Sequence, residues 1–485
     1  MNTLIYRLQS HRLVRILFLF LLSTCCAYLI GRLALDAGKL RWLLGVSIIF
    51  VIYAISQRRP VLAICLLMLY IPFMGIIRRL LIPIAGWNSL DPLVIIQPVV
   101  VLILGFNWAY RTYIAREPIR DDTVLFRLVR WLLLVDIIQM VNPLQGSLLT
   151  GLAGSIFFIV PILFMVLGRE YLNETWINRL LLTVLAIGVV VALYGYKQFL
   201  FGWFPFEESW LEVAGYTALK VYNEIRPVSV FNSGSEYAHY LGLATIIGWV
   251  YVLYARARAK LIPLLAVAFL YVNLFIESAR GVIVTVTLAL AVVTIMRTRT
   301  KWQKGITFLL VCLSFVALYF GILDLNTDSD LIYHSVRGLT DPLAEDSTLL
   351  GHVHLMVDGF ITGFTNPLGY GLGITSMAAT KFSGKVIGSE VDLSNQFIAT
   401  GLVGGILYVL IVWKALVQSW RLAKEGSPVF LIIFGILIAE IGQWLTGGHY
   451  AVVPIVWMMI GFLDKTIGIR ERKRNLENSL DRANA

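Results

Sequence analysis

Long apolar segments alternate with short polar ones along most of the chain. The apolar segments are about 17–25 residues long, the length of helix that crosses about 30 Å of hydrocarbon. The pattern therefore predicts an all-α, polytopic transmembrane helix bundle of about 12–14 spans. The predicted segments lie near residues 13–35, 40–56, 60–77, 93–109, 124–141, 148–168, 180–200, 236–255, 261–276, 280–296, 305–323, 393–416, 428–446 and 450–463.

The N-terminal segment also resembles a signal sequence, because a basic stretch precedes an apolar one that ends in LSTC. We interpret it as an uncleaved first helix, since the apolar run continues through CCAYLIGRLAL and a further apolar segment follows. The last predicted segment is short. The fifth is interrupted by three charged residues, namely Arg127, Arg130 and Asp136.

The composition supports a membrane protein, because 58% of the residues are hydrophobic and only 14% are charged. Soluble proteins carry about 25% charged residues. The net charge of +11 does not indicate nucleic-acid binding, since the basic residues form short clusters between apolar segments. All four cysteines fall inside apolar segments, so neither a disulfide framework nor a zinc site is predicted.

The charges of the loops predict the orientation of the chain. Basic residues gather in alternate connections, at residues 256–260 and 297–304 and in the tail 469–485. The long loop 324–392 carries nine acidic residues and three basic ones. Cytoplasmic loops hold the excess of Lys and Arg, so both termini are predicted to be cytoplasmic. Two basic clusters fall on the external side and are exceptions: Lys39 with Arg41, and Arg78 with Arg79.

This topology divides the chain into four parts and gives it two long external loops. The parts are a transmembrane bundle at 1–323 with an external loop at about 201–235, an external subdomain at 324–392, C-terminal transmembrane helices at 393–468, and a basic cytoplasmic tail at 469–485.

The larger external loop contains an amphipathic pattern in the stretch STLLGHVHLMVDGFITGF. Its apolar face would be formed by Leu349, Val353, Met356, Phe360 and Phe364. The pattern predicts a helix that either lies on the outer membrane surface, or caps a cavity, or packs within a small external subdomain.

Charged and polar residues also mark the segment RPVSVFNSGSEYAHYL, residues 226–241. Arg226 ends an external loop, and Glu236 and His239 share one helical face because they are three residues apart. A Glu-x-x-His pair binds metal in di-iron bundles only with a second such pair and two more glutamates. No second pair occurs in the sequence, so no metal site is predicted. We expect Glu236 and His239 to hydrogen-bond inside the bundle or to line a polar cavity.

The sequence ESARG places Glu277 and Arg280 between two apolar segments. A charge at the bilayer centre costs at least about 2.5–3.5 kcal/mol, so Arg280 requires an explanation. One interpretation is a Glu277–Arg280 salt bridge, with the arginine reaching to the water interface. The other is that Arg280 and Arg226 meet on the external side, where their two guanidinium groups would hold the phosphate groups of a lipid diphosphate. We call this arrangement the guanidinium clamp. Arginine suits phosphate because its planar fork donates two parallel hydrogen bonds and stays charged.

Together these motifs resemble the O-antigen ligase and Wzy-type polysaccharide polymerase superfamily, integral-membrane glycosyltransferases of the GT-C type. Arg226 is similar to the family's arginine at the end of a loop, and Arg280 to its Ser-x-Arg at a helix start. The segments NPLGYGLG (366–373) and LSNQFIATGLVGGILYV (393–409) resemble the family's Asn-Pro-Leu-x-Gly-x-Gly and the motif after it. The resemblance covers about residues 220–415.

The resemblance implies an enzyme of the bacterial inner membrane that acts on its periplasmic side. Its donor would be an undecaprenyl-diphosphate-linked oligosaccharide and its acceptor a glycan, with membrane lipids around it and no nucleic acid. Chain-length or export proteins are further partners that the resemblance suggests. No cofactor, metal or nucleotide sugar would be required. Arg226 and Arg280 would neutralise the charge on the departing diphosphate, and Glu236, His239, Glu277 and Asn395 would contact substrate.

The chain departs from the family at Ser394, since ligases of the family carry histidine before the asparagine at this place. Serine is a poor base at neutral pH, so the base of the ligases cannot be transferred to this chain. The candidates that replace it are Asp392, His352 and His354, of which the two histidines are two apart and cannot share one helical face. A mechanism without a strong base is the remaining alternative.

The missing histidine favours a polymerase of exopolysaccharide or O-antigen repeat units over a ligase that transfers glycan to lipid A-core or protein. A lipid-linked glycan transporter is a further alternative, because charges inside a membrane often line a translocation path. Transporters often consist of two similar halves with broken helices. The sequence shows no such similarity, and its largest external loop belongs to one half only.

Overall fold

A computed structural model describes Thr24, Gly31 and residues 37–484, with short gaps at 89–90, 120, 215–218, 299, 324–327, 344–348, 389–390 and 446–448. The predicted first membrane segment, its interpretation as an uncleaved helix, and Cys25 and Cys26 lie outside these described residues.

The described residues are almost entirely helical. The first helices are α1 (Ala37–Ser56), α2 (Pro60–Leu80), α3 (Ile82–Ala85), α4 (Ile96–Ala109), α5 (Val124–Gln139), α6 (Leu148–Tyr171), α7 (Glu174–Phe201) and α8 (Pro205–Ala214). A short hairpin of β1 (Lys220–Val221) and β2 (Glu224–Ile225) follows. The later helices are α9 (Gly234–Tyr254), α10 (Leu261–Glu277), α11 (Arg280–Arg297), α12 (Lys301–Leu323), α13 (Asp330–Thr340), α14 (Leu349–Thr365), α15 (Met377–Phe382), α16 (Asp392–Ala423), α17 (Pro428–Ala439) and α18 (Val453–Asn484).

The predicted all-α helical bundle is confirmed, and the predicted number of 12–14 spans remains a prediction. Eight helices of the described chain are long and apolar enough to cross a bilayer: α1, α2, α6, α7, α9, α10, α11 and α16. The apolar helix α17 is shorter and ends at Ala439, before the predicted boundary. The last helix, α18, is longer than predicted, because it continues through the basic RERKR run to Asn484.

Local side-chain hydrogen bonds fix where several helices begin. At four helix starts a short polar side chain accepts a hydrogen bond from the amide three residues later, which satisfies a backbone donor that the helix leaves free. These capping residues are Thr123 before α5, Ser147 before α6, Asn173 before α7 and Ser233 before α9.

Helix α9 lies at the centre of the bundle and packs against α7, α10, α11 and α17. Over its most apolar stretch 78% of its residues are buried, as in α6, which packs against α18. A helix that is apolar on all sides is expected in the interior of a bundle rather than at its lipid surface. The start of α9 therefore holds its side chains inside the protein.

Helix α16 is broken at Gly401, whose φ of 69° is a left-handed conformation that favours glycine. The break frees backbone carbonyls, which must find other donors inside a membrane protein. Tyr370 and Gly371 donate their amides to the carbonyls of Ile398 and Ala399, at 2.9 and 3.0 Å. The segments 366–373 and 393–409, which the sequence singled out separately, are thus paired through their backbones.

The two long external loops of the predicted topology contact each other. The carboxylate of Glu224, in β2, accepts hydrogen bonds from the Ser329 hydroxyl at 2.7 Å and the Leu331 amide at 3.1 Å. The Asn223 amide donates to the carboxylate of Asp330 at 2.9 Å. These contacts fix the start of α13 on the hairpin that precedes Arg226.

The amphipathic stretch of the larger loop forms α14. Its C-terminal half packs against α16, where the rings of Phe360 and Phe364 lie 5.8 and 5.2 Å from the ring of Phe397. Val353, on the same predicted face, is exposed. The helix is therefore observed, and its contact with a membrane surface remains a prediction.

The arginines that broke the orientation rule are paired with buried acids. The guanidinium of Arg41 contacts the Asp91 carboxylate, and both side chains are fully buried. Arg78 donates to the same carboxylate at 3.1 Å and to the amide oxygen of Asn232 at 2.9 Å. Their charges are thus compensated inside the protein, so these arginines are not the free loop charges on which the orientation rule is based.

A second buried pair lies next to the first. Arg79 donates to the Glu207 carboxylate at 3.3 Å and to the carbonyl of Ser229 at 2.5 Å. Gln198 joins them, because its side chain donates to Glu207 at 2.7 Å and accepts the Ser229 amide at 2.7 Å. This network anchors the loop that carries Arg226 to α2, α7 and α8.

Candidate functional site

The candidate site is built around the short junction between α10 and α11. Ser278 adopts a left-handed conformation with φ 68° and ends α10, and its amide donates to the Leu274 carbonyl at 3.1 Å. Helix α11 then begins at Arg280. Glu277 and Arg280, three residues apart in sequence, therefore belong to two different helices.

Arg226 reaches this junction from the loop before α9. Its amide donates to the Leu219 carbonyl at 2.7 Å, which holds the loop backbone in place. Its Nη2 donates to the carbonyl of Ser278 at 3.1 Å. Its Nε is buried and has no hydrogen-bond partner among the described residues. The guanidinium is thus fixed by one hydrogen bond, and its Nε is a buried donor without an acceptor in the described part of the chain.

Glu277 is fully buried beside Arg226. Both of its carboxylate oxygens lack a side-chain hydrogen-bond donor within the described part of the chain. The carboxylate lies against Gly234 at the start of α9, and a side chain added to Gly234 would begin 3.9 Å from the Cβ of Arg226. An isolated buried carboxylate is costly, so the nearby charge of Arg226 is its compensation.

Arg280 is half-buried and its side chain lies against α13. Its side chain packs over Gly338, so a Cβ added to Gly338 would overlap its Cδ and Nη1 and lie 2.7 Å from its Cζ. Glycine at this position leaves the space that the arginine occupies. Arg226 thus bonds to the junction and Arg280 begins the helix that follows it, and the clamp between their guanidinium groups remains a prediction.

Two polar residues of α13 complete the cover over the junction, and sequence reasoning missed both. His334 Nδ1 is 2.7 Å from the Ser278 hydroxyl. The Ser335 hydroxyl donates to the Phe275 carbonyl at 3.0 Å. The signal that could have indicated them is the spacing YHSVRG, in which His334, Ser335 and Gly338 lie within about one helical turn.

Glu236 serves the start of α9. Its amide is capped by the Ser233 hydroxyl at 3.2 Å, and its carboxylate accepts the Ala451 amide at 2.9 Å and the Asn232 amide at 3.5 Å. This arrangement resembles a capping box, in which a Ser and a Glu three residues later satisfy each other's backbone amides. The contacts of Glu236 are therefore structural.

His239 belongs to a buried chain of polar side chains. Its Nδ1 is 2.7 Å from a carboxylate oxygen of Glu440, and its ring lies 4.3 Å from the ring of His449. His449, in the loop between α17 and α18, contacts the Ser235 hydroxyl through Nε2 at 2.9 Å. Burial and the neighbouring His239 hold the pKa of His449 well below its usual value, so His449 is neutral near pH 7.

Glu236 and His239 thus face different partners, although they share one side of a helix. Among the described residues no group of three or more His, Cys, Asp or Glu side chains is placed to hold a metal ion. The pair contributes hydrogen bonds inside the bundle, which was one of the two interpretations of the sequence.

The three candidate bases lie away from the α10–α11 junction in sequence, Asp392 in α16 and His352 and His354 in α14. Asp392 is buried at the start of α16, where its carboxylate accepts the Leu445 amide at 2.5 Å. His352 and His354 are exposed on α14. Asn395 is half-buried, and the hydroxyl of Ser394 donates to the Val391 carbonyl at 3.1 Å. The assignment of Asp392, His352 or His354 as the catalytic base remains a prediction.

Two further cations, Lys381 and Arg78, were not considered as site residues from the sequence. Lys381, in α15, has its pKa lowered by burial and by the nearby guanidinium of Arg78. Two positive groups that destabilise each other's charge favour a bound anion between them. Arg78 also contacts Asn232, which lies in the same segment as Arg226.

A comparison of the sequence with known protein families and curated proteins found no match. The resemblance to the O-antigen ligase and polysaccharide polymerase superfamily therefore rests on the quoted sequence motifs alone.

Proposed function

We propose that the protein transfers a glycan from a polyprenyl-diphosphate carrier to a sugar hydroxyl, on the external face of a bacterial inner membrane. Repeat units would be joined in this way into an exopolysaccharide or O-antigen. The observation that carries this proposal is the placement of Arg226 and Arg280 at the α10–α11 junction. The Arg226 guanidinium also keeps a buried donor without a protein partner among the described residues.

The chemistry that fits such a site is a displacement at the anomeric carbon. The acceptor oxygen forms a bond to that carbon, the bond to the diphosphate oxygen breaks, and its electron pair leaves with the diphosphate. Negative charge grows on the leaving group, and fixed guanidinium donors stabilise it where it develops. Removing one such donor costs about 100- to 1000-fold in rate.

The other residues of the site would position these groups. Glu277 holds Arg226 by its charge, and α13 holds Arg280 in place above Gly338. The proton of the acceptor hydroxyl would pass to Asp392, His352, His354 or solvent. Glu236 and His239 support the start of α9, since their polar atoms bond to protein groups.

A polymerase agrees better with Ser394 than a ligase does. The Ser394 hydroxyl is fully buried and donates to a backbone carbonyl, so it is not placed to accept a proton from an acceptor. A cell without a polymerase accumulates single repeat units, whereas a cell without a ligase accumulates long chains on the carrier lipid. The lipid-linked glycans of a deletion strain therefore distinguish the two.

The proposal is tested with the purified protein in vesicles that contain a polyprenyl-diphosphate-linked oligosaccharide. We expect longer glycans and free polyprenyl diphosphate, without a nucleotide sugar or added metal. Donor that crosses to the other leaflet at constant glycan length would instead indicate a transporter and contradict the proposal.

Gly338→Ala is expected to reduce transfer about tenfold while the protein remains folded. The new Cβ would overlap the far end of the flexible Arg280 side chain, so the arginine moves rather than the backbone. A displacement of about 1 Å from the productive geometry costs up to about 100-fold. The measurement is the initial transfer rate of the purified variant.

Gly351→Ala is the matched control for this change, because Gly351 also lies in an external helix and a Cβ added there meets nothing within 4 Å. Its rate should equal that of the wild type. Equal rates for both variants would contradict a role for the position of Arg280.

A further inference from the structure

A groove on the surface of the bundle lies between α4, α5 and α6. Its volume is 890 Å³, and most of its lining is apolar. Large apolar side chains along it are exposed, such as Phe106 at 68% and Trp131 at 60%. In a membrane protein such a groove is filled by hydrocarbon from lipid or by another helix.

One end of the groove is basic and aromatic. Arg127, Arg130 and Trp131 line it from one face of α5, and Tyr113 lines it from the turn after α4. The guanidinium of Arg127 is exposed and has no hydrogen-bond or ion-pair partner among the described residues. Arg130 donates to Asp122 at 2.8 and 2.9 Å, and its Nε is buried and unpaired within the described chain.

This basic end is the end of the bundle that carries the C-terminal basic helix. The segment just before α5 contacts α18, since Arg472 pairs with Asp121 at 3.2 Å and Thr123 contacts Asp464. The opposite end of α5 contacts the external segment, because the Gln139 side chain donates to the Leu368 carbonyl at 2.7 Å. The groove thus has a charged end and an apolar end along one helix.

Its length matches one leaflet of a bilayer. Ile137 lies ten positions after Arg127, which corresponds to a rise of about 15 Å along the helix. The hydrocarbon core of a bilayer is about 30 Å thick, so one leaflet takes about half of it. Trp131 and Tyr113 at the charged end are the residue types found at membrane interfaces.

We propose that this groove binds one anionic phospholipid of the leaflet on the side of the basic tail. Its phosphodiester would lie at Arg127 and Arg130, and one acyl chain would follow α5 toward Ile137. Basic pockets between membrane helices suit anionic headgroups. The groove and its charges carry this inference, and only the exclusion of a polyprenyl carrier as the occupant rests on the proposed function.

The charges favour a phospholipid over the other occupants. An apolar helix of a second copy would cover the groove but would leave Arg127 and the Nε of Arg130 without acceptors. The diphosphate of a polyprenyl carrier would instead lie at the α10–α11 junction. That junction is covered by α13 and lies at the other end of the bundle from Arg127 and Arg130. A headgroup with one net negative charge fits the basic end.

The test is the retention of lipid by the purified protein after exchange into vesicles of phosphatidylglycerol or phosphatidylcholine, counted by native mass spectrometry. The wild type should keep one phosphatidylglycerol per chain. Arg127→Gln should lower this retention about tenfold, since one hydrogen bond between charged groups is lost. Leu134→Trp, which fills the lining of the groove, should lower it as well.

Arg179→Gln is the matched control, because Arg179 is also exposed, lies close to the same end of the bundle at the start of α7, and stacks on a tryptophan, Trp176, at 4.8 Å. This variant should retain lipid as the wild type does. Equal retention of both lipids by the wild type, or no loss in Arg127→Gln, would overturn the inference. Displacement of the lipid by polyprenyl phosphate alone would assign the groove to the carrier and overturn it too.

Discussion

Arg280→Ala and Arg226→Ala are each expected to lower glycan transfer by about 100- to 1000-fold. Each removes a guanidinium from the α10–α11 junction, where the proposed function would have charge develop on the leaving diphosphate. Arg280→Lys should restore little of the rate, because an ammonium cannot donate the two parallel hydrogen bonds of the guanidinium fork. The initial rate of polymer formation by the purified variants, at saturating donor, measures the effect.

Arg258→Ala is the control for these variants, since Arg258 is exposed and lies in the connection between α9 and α10, at the other end of the same helices. It should retain the wild-type rate. Arg226→Ala also removes the bond to the Ser278 carbonyl and the charge next to Glu277, so its yield of folded monomer must be compared. Normal polymer from a folded Arg280→Ala variant would rule out the clamp.

Asp91→Asn is expected to destabilise the fold by about 3–5 kcal/mol. The change leaves Arg41, which is fully buried, and Arg78, which is 11% exposed, without their shared carboxylate. A buried charge without a partner is the costly outcome, since the desolvation of the arginines is no longer compensated. Equilibrium unfolding in mixed micelles measures the change in the free energy of unfolding.

Glu117→Gln is the matched control, because Glu117 is 59% exposed and its nearest cation, Arg111, is 4.0 Å away. An exposed pair of this kind contributes about 0–1 kcal/mol. If Asp91→Asn were no more destabilising than Glu117→Gln, the Arg41–Asp91–Arg78 cluster would not be a structural element of the fold.

The sequence predicts the helices well where an apolar run has the length of a membrane span. Helices α2, α6, α9 and α11 begin and end within a few residues of the predicted segments. These boundaries follow from local features, such as the capping Ser147 and Ser233. The number of membrane spans is harder to predict, because length and hydropathy do not settle the shorter helices α4, α5 and α17.

Long-range contacts explain what could not be predicted. The bond between Arg226 and the carbonyl of Ser278 joins residues 52 positions apart, and no periodicity indicates it. The pairing of Arg41 with Asp91 likewise requires the packing of α1 against its neighbours. The break at Gly401 interrupts a sequence that is typical of one continuous helix. It could not be predicted from that sequence, because the backbone at the break pairs with the separate segment 366–373.

The sequence singled out some residues of the candidate site but not the residues that surround them. Glu277 and Arg280 stood out because charges are rare next to apolar segments, and Arg226 because it ends a predicted external loop. His334, Ser335 and Gly338 did not, since a polar external loop gives no contrast against which they could be noticed. The roles of Glu236 and His239 depended on partners at Ala451 and Glu440, which are more than 200 residues away.

A structure of the protein with bound polyprenyl diphosphate tests the central claim most directly. We predict that the guanidinium groups of Arg226 and Arg280 both lie within hydrogen-bond distance, about 2.7–3.2 Å, of the diphosphate oxygens. A diphosphate bound away from the α10–α11 junction, with both arginines still held against Ser278 and Gly338, would contradict the account.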